Sequence, residues 1–184
     1  MTSSPQAKGR RPLLLLVVLF VAPLAGAFLL YYGSSWRPAS HTNHGQLIVP
    51  VVPVPGAAFT GKWSLVVIGA GDAGCDARCR DALIYARQTW LSLGKLTPRA
   101  RRVLLGGAGC CDRDYLQREH TGLLAMPASE AGGAALRQLF PPPQEHAIYV
   151  VDPLGNLMMR YDVRDSPSGL RDDLKKLLEL SHIG

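Results

Sequence analysis

The chain has 184 residues, of which 47% are hydrophobic and 18% charged, and its formal net charge is +6. This length suits one ordinary globular domain with an appendage. The basic residues are not interleaved with aromatic side chains that could stack on bases, and no nucleophile or carboxylate motif typical of hydrolases is present, so nucleic-acid-binding proteins and hydrolytic enzymes are disfavoured.

The first predicted element is an uncharged apolar run at residues 13–32. As a helix rising about 1.5 Å per residue, this run reaches roughly 30 Å, the thickness of the hydrocarbon core of a bilayer. The basic residues Lys8, Arg10 and Arg11 lie just before it. The positive-inside rule therefore predicts that residues 1–12 form a cytoplasmic tail and that the rest of the chain is exported.

A cleavable signal peptide is the alternative interpretation of the apolar run. Residues 25–27, Ala-Gly-Ala, have the small side chains that a cleavage site needs. We favour an uncleaved transmembrane anchor because the run continues past that point to Tyr32. The predicted protein crosses the cytoplasmic (inner) membrane once, with a periplasmic C-terminal domain.

Residues 33–58 are rich in Gly, Ser and Pro and predict a tether that becomes the edge of a domain at residues 59–184. Pro50, Pro53 and Pro55 exclude a helix in this tether and favour an extended path.

Residues 59–184 alternate between strand and helix patterns. The sequence predicts strands at 63–69, 102–105, 147–151 and 156–161, and helices at 80–93, 129–140 and 168–180. The order strand, helix, strand, helix, strand, strand, helix is that of the thioredoxin fold, whose first two strands are parallel and whose last two form a hairpin. The predicted fold class is α/β, a thioredoxin-like domain behind an N-terminal transmembrane helix.

Cys75 and Cys79 lie where the first strand of this domain enters the first helix. Residues four apart on a helix share a face, with Cβ atoms roughly 5–6 Å apart, so two sulfur atoms can turn toward one ion. The positive helix N-terminus, helped by Arg78 and Arg80, favours thiolates. Soft thiolates select Cu(I) or Zn(II) over harder ions.

His146 is the candidate third ligand. In a thioredoxin-like domain the residue just before the first hairpin strand lies across from the cysteine loop, and His146 stands directly before the predicted strand 147–151. Two thiolates and one imidazole would suit a three-coordinate Cu(I) site.

These residues resemble a known family. The Cys75-x-x-x-Cys79 pair after a buried strand, with EHAIY and VDPLG further along the chain, looks like the Sco/SenC copper-binding assembly proteins of cytochrome c oxidase. The resemblance covers about residues 50–184, and the predicted anchor and topology match as well. The chain is similar to a short, divergent bacterial branch of these proteins.

The resemblance implies binding of Cu(I) and Cu(II) by Cys75, Cys79 and His146. It further implies metal delivery to the binuclear copper site of oxidase subunit II, or reduction of the cysteines of that site. The implied partners are oxidase subunit II or other oxidase assembly factors. The implied role is that of a metallochaperone rather than an enzyme.

Two alternatives use the same cysteines. The first is a thiol-disulfide oxidoreductase, although redox thioredoxins place two residues rather than three between their cysteines. The second is a scaffold that binds oxidase subunits, in which Cys75 and Cys79 form only a structural disulfide. Metal affinity separates the scaffold from the copper-binding hypothesis.

The other cysteines and histidines have less defined roles. Cys110 and Cys111 are adjacent, which strains a disulfide between them, so we expect two thiols that could bind a metal or exchange with the Cys75 pair. His41 and His44 lie in the tether, where a structural or incidental role is expected. His120 and His182 have no partner at a useful spacing and receive no role.

Four basic residues lie close together in the sequence: Lys95, Arg99, Arg101 and Arg102. We interpret them as a solvated loop, with a docking patch for an acidic partner as the alternative. Trp63 and Trp90 are predicted core residues, and Asp152, Pro153 and Gly155 are predicted to form the turn of the hairpin.

Overall fold

The computed structural model describes residues 6–33, 42–69, 76–106, 111–127, 133–142, 144–165 and 168–184. The chain divides into two compact units, Met1–His41 and Thr42–Gly184.

The first unit contains the helix α1 (Gln6–Gly33). Its stretch Arg10–Gly33 is long and apolar enough to cross a membrane. The leucine and valine side chains point outward on all sides of the helix. A helix that is apolar all round suits a lipid environment better than water, so α1 could anchor the chain in a bilayer.

The second unit is built on a six-stranded sheet. The strands are β1 (Gln46–Pro53), β2 (Trp63–Ile68), β3 (Ala100–Gly106), β4 (Leu123–Pro127), β5 (Ala147–Val151) and β6 (Asn156–Asp162). Their order in the sheet is β1-β6-β5-β2-β3-β4. Strands β2, β3 and β4 are parallel neighbours, whereas the pairs β1/β6, β6/β5 and β5/β2 are antiparallel.

Helices cover both faces of this sheet. They are α2 (Ala77–Ser92), α3 (Arg113–Glu119), α4 (Gly133–Gln138) and α5 (Gly169–Leu180). Strand β2 is buried along its whole length, and side chains alternate between two core clusters because successive residues of a strand face opposite ways. Leu65 and Val67 join the cluster under α2 and α5, whereas Val66 and Ile68 join the cluster on the other face.

The predicted thioredoxin-like fold is confirmed. The β2-α2-β3 crossover joins parallel strands, β5 and β6 form the antiparallel hairpin, and α5 follows. The sequence pattern missed α3 and β4, which lie in a stretch expected to be irregular. They have seven and five residues, too few for a hydrophobic period to be recognised.

Strand β1 lies within the proline-rich segment that we interpret as a tether, and it forms the edge of the sheet beside β6. An edge strand tolerates proline because one row of its backbone N–H groups has no partner strand. The sheet therefore begins before residue 59.

Asp152 stabilises the β5-β6 turn, as expected from the sequence. Its Oδ1 accepts hydrogen bonds from the backbone N–H groups of Leu154 and Asn156, each at 2.8 Å. Gly155 has a φ of +88°, a conformation that favours glycine. A Cβ at Gly155 would also lie 3.1 Å from the carbonyl oxygen of Val54.

The interpretation of residues 95–102 as a solvated loop is wrong for the three arginines, and the alternative of a docking patch stays a prediction. The Arg99 guanidinium donates to four backbone carbonyls at and beyond the end of α5. Arg101 donates to carbonyls of the segment before β2. Arg102 is 2% exposed, and its guanidinium carbon lies 4.7 Å from the centre of the Trp90 ring. The three arginines contact backbone carbonyls and the face of an aromatic ring. A cluster of positive charges in the sequence does not reveal such contacts.

Candidate metal centre

A cleft of about 310 Å³ lies at the junction between β2 and α2. Its walls are the C-terminal end of β2, the first turn of α2 and the segment that leads into β5. The residues that line it include Gly69, Asp76, Cys79, Gln144 and His146. The fold therefore brings one cysteine of the predicted site and the predicted histidine ligand to the same cleft, from positions far apart in the chain.

Cys79 occupies the first turn of α2. Asp76 is the N-cap of this helix, and its Oδ1 accepts a hydrogen bond of 2.8 Å from the backbone N–H of Cys79. The Cys79 side chain is 5% exposed and belongs to the core cluster under α2 and α5. The cap and the packing together fix where this sulfur atom lies. Cys75 directly precedes the cap in sequence and lies outside the described residues.

His146 adopts an unusual backbone conformation directly before β5. Its φ is +55°, a left-handed value that costs a non-glycine residue about 1 kcal/mol. The backbone around it is held by a hydrogen bond from the Ala147 N–H to the Gln144 carbonyl at 3.3 Å and one from the Val163 N–H to the His146 carbonyl at 3.0 Å. The surrounding contacts thus maintain a strained residue at the wall of the cleft.

The imidazole of His146 carries a buried nitrogen that needs a partner. Its Nδ1 is inaccessible to solvent and has no hydrogen-bond partner among the residues that the structure describes. A buried polar atom left without a partner costs free energy. Strain and an unsatisfied nitrogen at one residue of a cleft are typical of a ligand-binding position.

Gln144 braces the loop that carries His146. Its Nε2 donates to the backbone carbonyl of Phe140 at 2.9 Å and to that of Arg137 at 3.3 Å. Its Oε1 accepts a hydrogen bond of 3.2 Å from Nε of Arg137. The loop is therefore tied to the end of α4.

Arg78 connects the two walls of the cleft. Its Nε lies 3.2 Å from Oδ2 of Asp76, and its Nη1 donates to Oε2 of Glu145. The side chains of Arg78 and Glu145 are 47% and 62% exposed, so this ion pair contributes little to stability. The ion pair instead positions the loop of His146, because it joins the first turn of α2 to Glu145, the residue before His146.

The support of the thiolates by Arg78 and Arg80 stays a prediction, and both side chains have other partners in the structure. Arg78 is engaged by two carboxylates. The guanidinium carbon of Arg80 lies 5.4 Å from the centre of the Tyr115 ring. Sequence reasoning missed the contacts of Arg78 and Gln144, since nothing in their spacing predicts these partners.

The donors at the cleft suit a soft metal ion. A thiol sulfur and an imidazole nitrogen are ligands that Cu(I) prefers, and Cys75 stands four residues before Cys79. Within the described ranges no group of three His, Cys, Asp or Glu side chains could hold a metal ion. The three-ligand set of Cys75, Cys79 and His146 stays a prediction.

Residues 63–181 match a family model described as "Transmembrane-like, thioredoxin-like, C-terminal domain". The chain belongs to this family. No curated protein matches the chain. Membership agrees with the β2-α2-β3 crossover and the β5-β6 hairpin, which lie inside the matched range.

Several solved structures share the fold of this family member. Apo Sco1 of Thermus thermophilus has a TM-score of 0.57 at 19% identity and covers 76% of this chain and 99% of its own. Yeast Sco1 with copper bound has a TM-score of 0.57 at 12% identity, covering 79% and 96%. Arabidopsis thaliana ScoI with copper bound has a TM-score of 0.53 at 14% identity, covering 77% and 100%. The predicted resemblance to Sco proteins is confirmed for the fold.

Cys111 is not the free thiol that the sequence predicts. It lies between β3 and α3, half-buried against the same core cluster as Cys79, and it is disulfide-bonded. The expectation of two thiols at positions 110 and 111 is therefore wrong for Cys111, because adjacency in sequence does not reveal which sulfur is close in space. Cys110 lies outside the described residues.

Among the described residues, the histidines at 44, 120 and 182 do not line the cleft. His120 is buried, and its Nε2 lies 3.2 Å from the Tyr115 hydroxyl. Burial, with Arg102 as a further cause, lowers the pKa of His120. His44 binds Asp173 through its backbone N–H and its ring, which is the structural role expected for it. His182 is exposed near the C-terminus, and His41 lies outside the described residues.

Proposed function

We propose that this protein binds copper as cargo and assists assembly of the copper centre of cytochrome c oxidase. Cys75, Cys79 and His146 would hold the ion. One observation carries the proposal: Nδ1 of His146, buried and without a hydrogen-bond partner in the described part of the chain, lines the same cleft as the thiol of Cys79, at the strand-to-helix junction of a thioredoxin-like fold.

The residues of the cleft have distinct parts in this function. The thiols of Cys75 and Cys79 would bind as thiolates, releasing two protons, and the imidazole of His146 would bind in its neutral form. The Asp76 cap holds the first turn of α2 in place, and Arg78 and Glu145 hold the loop of His146 beside it. Cys79 itself is buried, so its side of the site would be shielded from water.

The proposal includes a location and a recipient. The helix α1 would anchor the chain in the cytoplasmic membrane with its N-terminus in the cytoplasm and its C-terminal domain in the periplasm, since the basic residues precede the apolar run. The recipient would be oxidase subunit II or another assembly factor. The Sco structures of similar fold that hold copper support copper as the ion, whereas the location and the recipient rest on the sequence.

Replacing His146 with alanine tests the ligand set. We expect the reduced full chain in detergent to bind one Cu(I), and His146→Ala to weaken that binding by about 10- to 100-fold, since one of three ligands is lost. The measurement is an anaerobic titration of Cu(I) against a chromogenic chelator. His182→Ala is the matched control and should bind like the wild type.

Two outcomes would contradict the copper proposal. The reduced wild-type chain could fail to bind Cu(I), or His146→Ala could bind it as tightly as the wild type. The first outcome would favour a thiol-disulfide reductase acting on the cysteines of subunit II, for which a cysteine in the first turn of α2 is also suited. The reduction potential of the Cys75 and Cys79 thiols would then be the next measurement.

A further inference from the structure

We propose that the exposed apolar edge formed by strand β1 docks on the surface of the lipid bilayer in which α1 is anchored. The docking rests on the anchoring by α1 that is part of the proposed function, and it does not depend on copper binding.

Strand β1 lies at one end of the sheet and carries a large bulge. It pairs with β6 and is the first strand in the order of the sheet. Between the pairs Leu47–Met159 and Val52–Leu157, β1 has four residues where β6 has one. The extra residues of a bulge have no partner across the ladder. Residues 48–51, the β1 bulge, are therefore available for contacts outside the sheet.

The side chains along this edge are apolar and exposed. Val49 is 83% exposed, and Leu47, Pro50 and Val51 are exposed as well. Residues 42–61 contain no Asp, Glu, Lys or Arg, although 18% of the residues of the whole chain are charged. Single exposed apolar residues are ordinary on a protein surface, whereas a contiguous apolar patch marks an interaction site. The β1 edge is such a patch.

The apolar surface continues from β1 to the end of α5. Residues of both elements line one groove, among them Leu47, Leu177, Leu180 and Lys176. Leu180 is exposed. A lysine stem can lie along an apolar surface while its ammonium group reaches lipid phosphates. The patch therefore has the mixed apolar and basic character that suits the interface of a bilayer.

The patch is also close to the membrane anchor along the chain. Helix α1 ends at Gly33, and Thr42 is the first residue of the second compact unit. Nine peptide units join these two residues. An extended chain spans at most about 3.6 Å per residue, so this connection reaches no further than about 32 Å. Strand β1 begins at Gln46, which keeps its exposed side chains within reach of the bilayer surface.

Two prolines make lipid a better occupant of this edge than another protein strand. A second copy of the chain, or an extended peptide, would add to β1 through backbone N–H groups at its free edge. Pro50 and Pro53 have no N–H to donate, and proline protects edge strands from such pairing. In lipid the missing N–H groups are an advantage, because an N–H without a partner is costly there.

Photo-cross-linking tests the contact with lipid. The light-activated residue p-benzoylphenylalanine replaces Val49 in the full chain, which is reconstituted into phosphatidylcholine vesicles and irradiated. The matched control carries the same residue in place of Leu124, an exposed apolar residue of β4 at the opposite end of the sheet. Both replacements are at the surface, so the core of each variant stays intact. Mass spectrometry measures the fraction of the chain that gains one lipid.

We expect the lipid adduct at position 49 to be at least about 10-fold more abundant than at position 124, because a side chain held in the bilayer interface contacts lipid instead of water. Equal yields at the two positions would overturn the proposal. A cross-link between two chains at position 49, in place of the lipid adduct, would overturn it in favour of a second copy.

Flotation and copper titration of the same samples separate this proposal from the proposed function. A chain that floats with the vesicles but gives equal adducts at both positions keeps its anchor and loses the docking surface. A chain that does not float would defeat the anchor and the docking together. A strong adduct at position 49 without copper binding by the reduced chain would support the docking and defeat the copper proposal alone.

Discussion

Replacing Cys79 with serine is expected to weaken Cu(I) binding by at least about 1,000-fold, which corresponds to about 4 kcal/mol. Serine keeps the size of the side chain but replaces a soft thiolate with a hard hydroxyl group that Cu(I) does not favour. The Asp76 side chain accepts a hydrogen bond from the backbone N–H of Cys79, and serine at position 79 retains that N–H. The first turn of α2 should therefore stay folded, so that the loss reports on the ligand.

Competition with a Cu(I)-specific chelator under argon measures this effect in the reduced full chain. Cys111→Ser is the matched control, since Cys111 is not among the proposed copper ligands, and its affinity should stay within about twofold of the wild type. Equal Cu(I) affinities of Cys79→Ser and the wild type would show that Cys79 is not a copper ligand.

Asp173→Ala is expected to lower the free energy of unfolding by about 3–5 kcal/mol. The Asp173 side chain is 6% exposed. Its Oδ2 accepts hydrogen bonds from the Tyr161 hydroxyl at 2.8 Å, the His44 backbone N–H at 2.7 Å and the Gly45 backbone N–H at 3.2 Å. Alanine would remove the carboxylate acceptor of the buried Tyr161 hydroxyl, which otherwise contacts the weaker acceptor Met159 Sδ at 3.5 Å. It would also release the segment that leads into β1 from α5.

The contribution of Asp173 to the stability of the fold also depends on pH. Burial alone would raise the pKa of the Asp173 carboxyl, but the hydrogen bonds from His44 and Tyr161 outweigh burial and hold that pKa below its ordinary value. A carboxyl with a lowered pKa in the folded state stabilises the protein above about pH 4, the ordinary aspartate value, and this stabilisation is lost as pH falls through the folded-state pKa. The difference in the free energy of unfolding between the wild type and Asp173→Ala should therefore become smaller below about pH 4.

Thermal unfolding of the full chain in detergent, followed by near-ultraviolet circular dichroism, checks this prediction. We expect a decrease in Tm of about 10 °C at pH 7. Asp172→Ala is the matched control, since the exposed Asp172 side chain pairs with exposed Arg171, and it should change stability by less than about 0.5 kcal/mol. Equal Tm values for the two variants would show that the buried network does not stabilise the fold.

Much of the fold could be predicted because its long elements carry clear patterns. The buried run at β2, the hairpin signal around Asp152 and the leucine spacing of α5 determined the element order, and that order specified the thioredoxin-like topology. The short elements α3 and β4 were missed. Strand β1 lay hidden in a proline-rich segment, since prolines exclude a helix but leave an edge strand possible.

The site was predictable only in part. Chain order placed Cys79 in the first turn of α2 and His146 opposite, and both line the same cleft. The contacts that support them join residues far apart in the chain, such as Arg78 with Glu145, and spacing gives no sign of such pairs. The left-handed backbone of His146 and the disulfide of Cys111 likewise depend on tertiary structure.

X-ray absorption at the copper edge of the reduced, Cu(I)-loaded full chain tests the central claim most directly, because it counts the atoms bound to the ion. We expect two sulfur ligands and one imidazole nitrogen in the wild type, and loss of the nitrogen in His146→Ala. A spectrum with sulfur ligands alone, unchanged by His146→Ala, would contradict the three-ligand site and with it this account of the cleft.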